Sequence, residues 1–210
     1  MKNNKLIIKT ESKSYPIYFG NDILKITGRL IGKNLPKVRK ICIIADSKLP
    51  KILLNKLIKS LKKYDLKVYK LHANEKIKNL RIANKIIEQL INYNFNRSDC
   101  IIGFGGGIIG DLSAFISSIT KRGLKFINIP TTLLAQVDAS VGGKTGVNSN
   151  QGKNLIGTFY QPDFILSDVS ILKSLPHREM VAGYAEILKH SLILDRKFFF
   201  WLSKNGKNII

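Results

Sequence analysis

Residues 99–111 read DCIIGFGGGIIGD. A short apolar run, Cys100 to Phe104, enters three consecutive glycines, and a bounded run of this kind reads as a strand buried on both faces. The residues that follow, DLSAFISSIT, continue as a helix. Gly105, Gly107 and Gly110 satisfy the G-x-G-x-x-G spacing of a dinucleotide loop. The strand–turn–helix context is the one that spacing requires. Small residues let the backbone approach a pyrophosphate, and free N–H groups at the helix start face it. A tight turn with no ligand satisfies the same spacing, so the neighbouring segments have to decide.

Working outward, RKICIIAD reads as a buried strand ending in Asp46. Leu54, Leu57, Ile58 and Leu61 recur at helical spacing, LKVYKLH is a strand, and NLRIANKIIEQLINY is an amphipathic helix. KFINIP is a further strand stopped by Pro130, and DFILSD is the last. Near the N-terminus, KLIIKT and YPIYFG read as two short strands, and Asn21 is placed to cap a helix through DILKITGRLIG. Strands alternate with helices from about residue 38 to 130. That alternation predicts an α/β fold, a Rossmann-like, mostly parallel sheet with helices on both faces. Ligands of such sheets bind at the carboxyl ends of the strands. Here those ends carry Asp46, HANEKIK, the glycine run and PTTLLAQVDASVGGKTGVN, the last read as loop. From Pro176 onward the pattern is helical, and the apolar cluster Phe198–Trp201 is more than so short a stretch can bury. The division expected is a dinucleotide-binding-type α/β domain over 1–175 and the incomplete start of a helical domain over 176–210.

Lys and Arg number 35 against 14 Asp and Glu, a formal charge of +21. Such a balance invites a nucleic-acid reading. The distribution argues against it, because the lysines are spread over every segment, as in KILLNKLIKSLKKY, and fit solvated helix faces. The charge favours small anions. Cys42 and Cys100 sit in apolar runs as core residues, consistent with a reduced, cytoplasmic setting. MKNNKLIIKTESKSYP holds too short an apolar run for a signal peptide, and no stretch approaches a membrane span.

Other motifs are ambiguous taken singly. No acid follows the glycine run at the usual distance for a ribose; Asp46 could serve there or could cap a helix. VGGKTG resembles a P-loop, but Asp138 stands where the first glycine belongs. Lys144 on its glycine turn still suits an anionic oxygen. QGKNLIG supplies Lys153 and Asn154. Glu186, Lys189 and His190 share one helix face. By spacing alone they form an ion pair on a solvated helix, with a shared metal as the alternative. Arg122 is by default a surface charge at a helix end.

Taken together, GGGIIGDLSAF, KRGLKFINIPTTLLAQVDASVGGKTGVN, GKNLIGTFYQP, LPHREMVAGYAEILKH and FFFWL, in this order over residues 105–202, resemble the 3-dehydroquinate synthase family. The resemblance implies an NAD-dependent, metal-dependent phosphate lyase of the shikimate pathway and aromatic amino acid biosynthesis. The implied reaction converts 3-deoxy-D-arabino-heptulosonate 7-phosphate to 3-dehydroquinate and phosphate. NAD is implied to act as a recycled catalyst that oxidises a ring hydroxyl and returns the hydride after phosphate leaves. Asp46 is implied at the adenosine ribose, with Glu75 and Lys78 nearby. Gly106, Gly107, Ile108, Ile109 and Gly110 are implied at the pyrophosphate and Asp111 at the nicotinamide amide. Thr131 and Thr132 are implied in the cofactor pocket, and Ile171, Leu172, Lys173, Ser174 and Leu175 on its adenine side. Asp138, Lys153, Asn154 and Lys189 are implied at the substrate and Lys144 at its phosphate region; Lys144 and Lys153 are also carried over as cofactor contacts. Arg122 is implied to reach in from a homodimer partner.

Glu186 is implied as one ligand of a catalytic zinc or cobalt ion, its two histidine partners belonging to a further helical domain outside these 210 residues. The chain alone is therefore expected to be inactive or to need a complementing C-terminal fragment. Three positions depart from the family pattern: Ala73-Asn74-Glu75 replaces Asp-Gly-Glu, Ser174 replaces threonine, and His190 replaces a common tyrosine. Another sugar-phosphate cyclase is the nearest alternative. A degenerate, basic nucleic-acid-binding protein is the other, and the joint presence of Asp111, Asp138, Lys144, Lys153, Asn154, Glu186 and Lys189 argues against it.

Overall fold

The computed structural model describes residues 4–206 and 209. Its organising element is β5 (Cys100–Gly105), buried along its whole length. It lies parallel to β3 (Lys40–Asp46) on one side and β6 (Lys125–Pro130) on the other. Ile41, Ile43, Ile44, Ile101, Ile102, Ile127 and Ile129 are fully shielded from water. β-Branched side chains buried on both faces are what a central parallel strand requires. With β1 (Asn4–Lys9), β2 (Ser14–Gly20), β4 (Asp65–Leu71) and β9 (Phe164–Asp168), they form a seven-stranded sheet in the order β1-β2-β9-β6-β5-β3-β4. The β1–β2 pair is antiparallel and the others are parallel.

Alternate residues feed two cores. Ile41, Ile43, Ala45, Ile102 and Phe104 pack with α1 (Thr27–Asn34) and α2 (Lys51–Ser60) through Ile31, Leu54 and Leu57. Cys42, Ile44 and Ile101 face the other way, onto Ala83, Ile86 and Leu90 of α3 (Leu80–Asn92) and Ile109, Leu112, Phe115 and Ile116 of α4 (Gly107–Ile119). Both cysteines are free and buried; burial pushes both thiols well above their ordinary range. After β3 the chain adds β4 on one side; after β4 it crosses to β5 on the other. The β3/β5 boundary is thus a topological switch point, and a crevice opens at the carboxyl ends of these strands.

Two local expectations are corrected. The helix expected from Asn21 is instead a 3-10 turn, Leu24–Ile26, followed by α1, and neither start carries a side-chain cap of its own. Asp168, at the end of β9 and fully buried, accepts from the Asp22 and Leu24 backbone N–H groups at 2.9 Å each. It also accepts from the Ser170 N–H at 3.0 Å and the Ser170 hydroxyl at 2.6 Å. The cap therefore comes from a residue distant in sequence. Second, the segment after Pro130 read as loop holds a π-helical turn, Ala135–Ala139, and β7 (Lys144–Ser149), which pairs with β8 (Gly152–Phe159) as a separate antiparallel hairpin. Glycines hid it from the sequence, since they weaken strand propensity. They are needed where the two strands meet: a Cβ on Gly157 would lie 2.1 Å from the Thr145 carbonyl oxygen.

The chain ends in two helices, α5 (His177–Leu194) and α6 (Arg196–Asn205), as the pattern after Pro176 predicts. Leu192, Ile193, Leu194, Phe200 and Trp201 are more than half exposed. No helix among the described residues is long and apolar enough to cross a membrane.

Asp168→Ala strips the acceptor from the Asp22, Leu24 and Ser170 donors at once, so we expect a loss of about 3 kcal/mol in urea denaturation. A loss under about 1 kcal/mol would show that water replaces the carboxylate freely.

Candidate functional site

The crevice at the switch point is a cleft of about 550 Å³. Its floor is the β5–α4 turn. Gly106 has extended backbone, φ −75° and ψ −171°, and α4 starts at Gly107 with no acid in its first turn. A Cβ on Gly106 would sit 3.1 Å from the Thr132 methyl, so the strand ends are close enough that only hydrogen fits comfortably. Gly106, Gly107 and Ile108 line the cleft, with Thr131 and Thr132 from the end of β6. Asp46 closes one end. Its Oδ1 accepts from the Lys48 N–H at 3.0 Å and the Ala73 N–H at 3.4 Å, so it orders the start of the next segment while lining the cleft. Glu75, Lys78, Ser174 and Leu175 complete the wall.

A second cleft of about 610 Å³ opens beside it, lined by Asp111, Asp138, Gly142, Lys144 and Asn154 among others. Asp111 lines both. Between the two stands Lys78, whose side chain is only 4% exposed. Its ammonium donates to Asp111 Oδ2 and to Asn154 Oδ1, each at 2.5 Å. Burial raises the Asp111 carboxyl above its ordinary range, and the hydrogen bond and charge of Lys78 oppose that rise. The acid behind the glycine loop is thus paired with a buried lysine.

The remaining expected residues fall outside these walls. Ile109 and Ile171 are buried in the two cores. Gly110 packs its Cα against Asn128, where an added Cβ would be 3.2 Å from the carboxamide. Leu172 and Lys173 lie in the turn before Ser174 and line neither cleft. Lys153 is 70% exposed, its ammonium 3.9 Å from Glu75 Oε1. Arg122 sits in the left-handed region, φ 62°, in the turn after α4 and borders neither cleft.

α5 brings a third group of residues beside Asp138, which lines the second cleft. Gly183 makes that approach possible, since a Cβ there would lie 2.5 Å from the Leu133 side chain and 2.6 Å from the Leu134 nitrogen. One donor atom each from Asp138, Glu186 and His190 then lie within 4.8 Å of one another. Glu186 Oε1 is 3.2 Å from His190 Nε2, without hydrogen-bond alignment, and pairs closely with the Lys189 ammonium. That hydrogen bond raises the Lys189 pKa. Carboxylate oxygen and imidazole nitrogen are donor types that zinc accepts, and a catalytic zinc site uses three protein ligands. The spacing is looser than the about 3.4 Å between ligands that tetrahedral coordination needs. Glu186 becomes available to a divalent ion once Lys189, itself more than half exposed, releases it.

Sequence patterns alone did not single out Asn148, whose backbone and carboxamide join the hairpin to the segment carrying Glu75 and Lys78. The signal available was an Asn ending a polar, glycine-rich run, which is common in turns.

The family model for the N-terminal region of 3-dehydroquinate synthase matches residues 68–182, more than half of the chain. The chain belongs to the 3-dehydroquinate synthase family. It is 52% identical to the 3-dehydroquinate synthase of Pelagibacter ubique over 206 residues, covering 98% of this chain and 56% of that relative. It is 43% identical to that of Bartonella tribocorum, covering 57% of it. The chain thus spans little more than half the length of these relatives. Among solved structures, 2-deoxy-scyllo-inosose synthase complexed with carbaglucose-6-phosphate, NAD+ and Co2+ superposes with a TM-score of 0.84 at 27% identity, over 90% of this chain and 51% of that one. The 2-epi-5-epi-valiolone synthase of Streptomyces hygroscopicus, with NAD+ and Zn2+ bound, gives 0.84 at 25% identity, over 97% and 56%.

Lys78→Met leaves Asp111 desolvated without its counter-charge. We expect a stability loss of about 2–3 kcal/mol at pH 7, discounted for the partial exposure of Asp111. With its folded-state pKa raised still further, Asp111 is more easily neutralised in the native than in the unfolded chain. The deficit should therefore shrink as pH falls through its titration range. A deficit independent of pH in urea titrations would count against the pairing as the cause.

Proposed function

We propose that this chain is the cofactor-binding part of a 3-dehydroquinate synthase, acting on 3-deoxy-D-arabino-heptulosonate 7-phosphate. One observation carries the reading: a glycine-floored cleft suited to a dinucleotide and a second cleft bordered by Lys144 and Asn154 share Asp111 as a common wall. Chemistry that moves hydride between a cofactor and a phosphorylated substrate needs such adjacency. The identity of 52% to a dehydroquinate synthase, against 27% to another sugar-phosphate cyclase, favours this substrate over its alternatives.

Bound NAD would supply a reversible hydride acceptor. Gly106, Gly107 and Ile108 would hold its pyrophosphate by the free N–H groups of the α4 start, where the helix dipole favours negative charge. Asp46 would accept from the ribose hydroxyls, and Asp111, with its charge balanced by Lys78, would accept from the uncharged carboxamide of the nicotinamide. Lys144, Lys153 and Asn154 would grip the anionic substrate. A divalent ion would supply Lewis acidity at a substrate oxygen, held by Glu186 together with ligands contributed by the further sequence that relatives carry, and Lys189 would then turn to the substrate. The same proposal treats residues 176–210 as the start of a helical domain, completed by a complementing C-terminal fragment. It places Arg122 at a homodimer contact and the protein in the cytoplasm.

Ile108→Asp separates this reading from a bare turn. An acid at the second helical position improves the interaction with the dipole by about 0.3–1 kcal/mol, yet it repels a pyrophosphate. Calorimetry should show NAD binding to the native chain, at least about tenfold weaker in the variant, with a thermal midpoint unchanged or higher. Equal NAD affinity in both would reject the glycine loop as the cradle. For the reaction itself, phosphate release from the heptulosonate 7-phosphate should be negligible with this chain, NAD and zinc, and appear on adding the C-terminal half of a relative. Zinc-dependent turnover by the chain alone would overturn the need for a complement.

A further inference from the structure

We propose that Asn148 is a positioning residue that fixes the hairpin's substrate side against the cofactor side, by holding Glu75, Lys78 and Asn154 at once. The inference rests on the roles proposed above for those three residues. Asn148 lies at the irregularity in β7 where the register with β8 shifts: Val147 and Ser149 stay paired with Ile156 and Gly152, while Asn148 has no partner in β8 and its groups reach outward. Its backbone N–H donates to the Lys78 carbonyl oxygen at 2.7 Å, and Asn79 and Asn148 form an isolated parallel bridge. Its Nδ2 donates to Glu75 Oε2 at 2.8 Å and, more weakly, to the Glu75 carbonyl at 3.3 Å. Its Oδ1 accepts from the Asn154 N–H at 2.9 Å.

The orientation of this carboxamide is determined by chemistry. Reversed, it would set an oxygen against a carboxylate and an NH2 against an N–H, two repulsive contacts in place of two hydrogen bonds. Only a side chain with one acceptor and one donor serves both neighbours. The acceptor half matters because Asn154 lies in the left-handed region, φ 59°. Asn adopts that conformation more readily than most side-chain-bearing residues, and the bond from Asn148 helps to hold it. In this conformation Asn154 Oδ1 meets the buried Lys78 ammonium. Asn148 thereby acts on the wall between the clefts from both ends, through the Lys78 backbone and through the Asn154 side chain.

The test uses the 210-residue chain and three variants: Asn148→Ala, Asn148→Asp, and Asn148→Asp combined with Glu75→Gln, with Glu75→Gln alone as reference. Hydrogen exchange at the Asn154 amide, followed by NMR, reads the acceptor half. Exchange should be slow in the native chain, stay slow in N148D, which keeps an acceptor, and accelerate about tenfold or more in N148A. NAD affinity by calorimetry reads the donor half. N148D sets two carboxylates together and should weaken NAD about tenfold. In the E75Q background the substituted amide can donate to the new carboxylate, so there the same change should cost less than about twofold. A merely structural role would lower the thermal midpoint equally in both backgrounds and show no such rescue. Unchanged Asn154 exchange in N148A, or an N148D penalty as large in the E75Q background as beside the native Glu75, would overturn the proposal. Absence of NAD binding by the native chain would instead reject the cofactor reading, leaving the positioning role to be decided by the exchange data.

Discussion

A lysine ammonium held in a nearly dry position has to be surrounded by acceptors, and Lys78 is met by two, Asp111 and Asn154. Much of the site follows from this requirement. Asp111 is on α4, Lys78 precedes α3, and Asn154 is on the hairpin. Satisfying one charge therefore fixes three segments relative to one another. It also lets an acid stand one turn behind the start of α4, whose first N–H groups have no intrahelical partners. The carboxylate's field is largely cancelled by the ammonium beside it, while the uncompensated N–H groups of the glycine loop stay available.

Glycine does two different jobs around this centre. At Gly106 and Gly107 it keeps the cleft floor low, so that a ligand can approach the backbone. At Gly157 and Gly183 it lets two protein segments approach each other, the hairpin strands in one case and α5 against Leu133 and Leu134 in the other. The second job determines the site's chemistry as much as the first. Without the close approach at Gly183, the Glu186–His190 face would stand away from Asp138, and the three candidate metal donors would not be neighbours.

The electrostatics of the whole chain point the same way. A formal charge of +21 spread over the surface cannot specify a ligand, but it raises the local concentration of anions around both clefts. The groups with fixed geometry around the clefts are few, the loop N–H groups on one side and Lys144 and Asn154 on the other. In this respect the surface lysines and the buried lysine differ in kind. The former are solvated and interchangeable, whereas Lys78 is held by named partners.

The alternation of apolar strands with amphipathic helices, the glycine turn after β5 and the helical change of character after Pro176 were legible in the linear sequence. Each depends on residues close together in the chain: burial on both faces leaves a continuous apolar run, and a strand-to-helix turn needs its small residues side by side. The family motifs also named Asp46, Glu75, Lys78, Asp111, Lys144 and Asn154, though not how they meet. Tertiary structure decided the rest. Asn21 looked like the cap of the first helix because local rules consider only neighbours, yet the acceptor is Asp168, carried there by the β2–β9 pairing. The β7–β8 hairpin was hidden because its glycines are dictated by inter-strand contact, which no local propensity registers. Asn148 carried no signal for the same reason: its importance lies in joining two segments far apart in sequence. What determines such partners is a packed geometry in which buried polar groups must be satisfied.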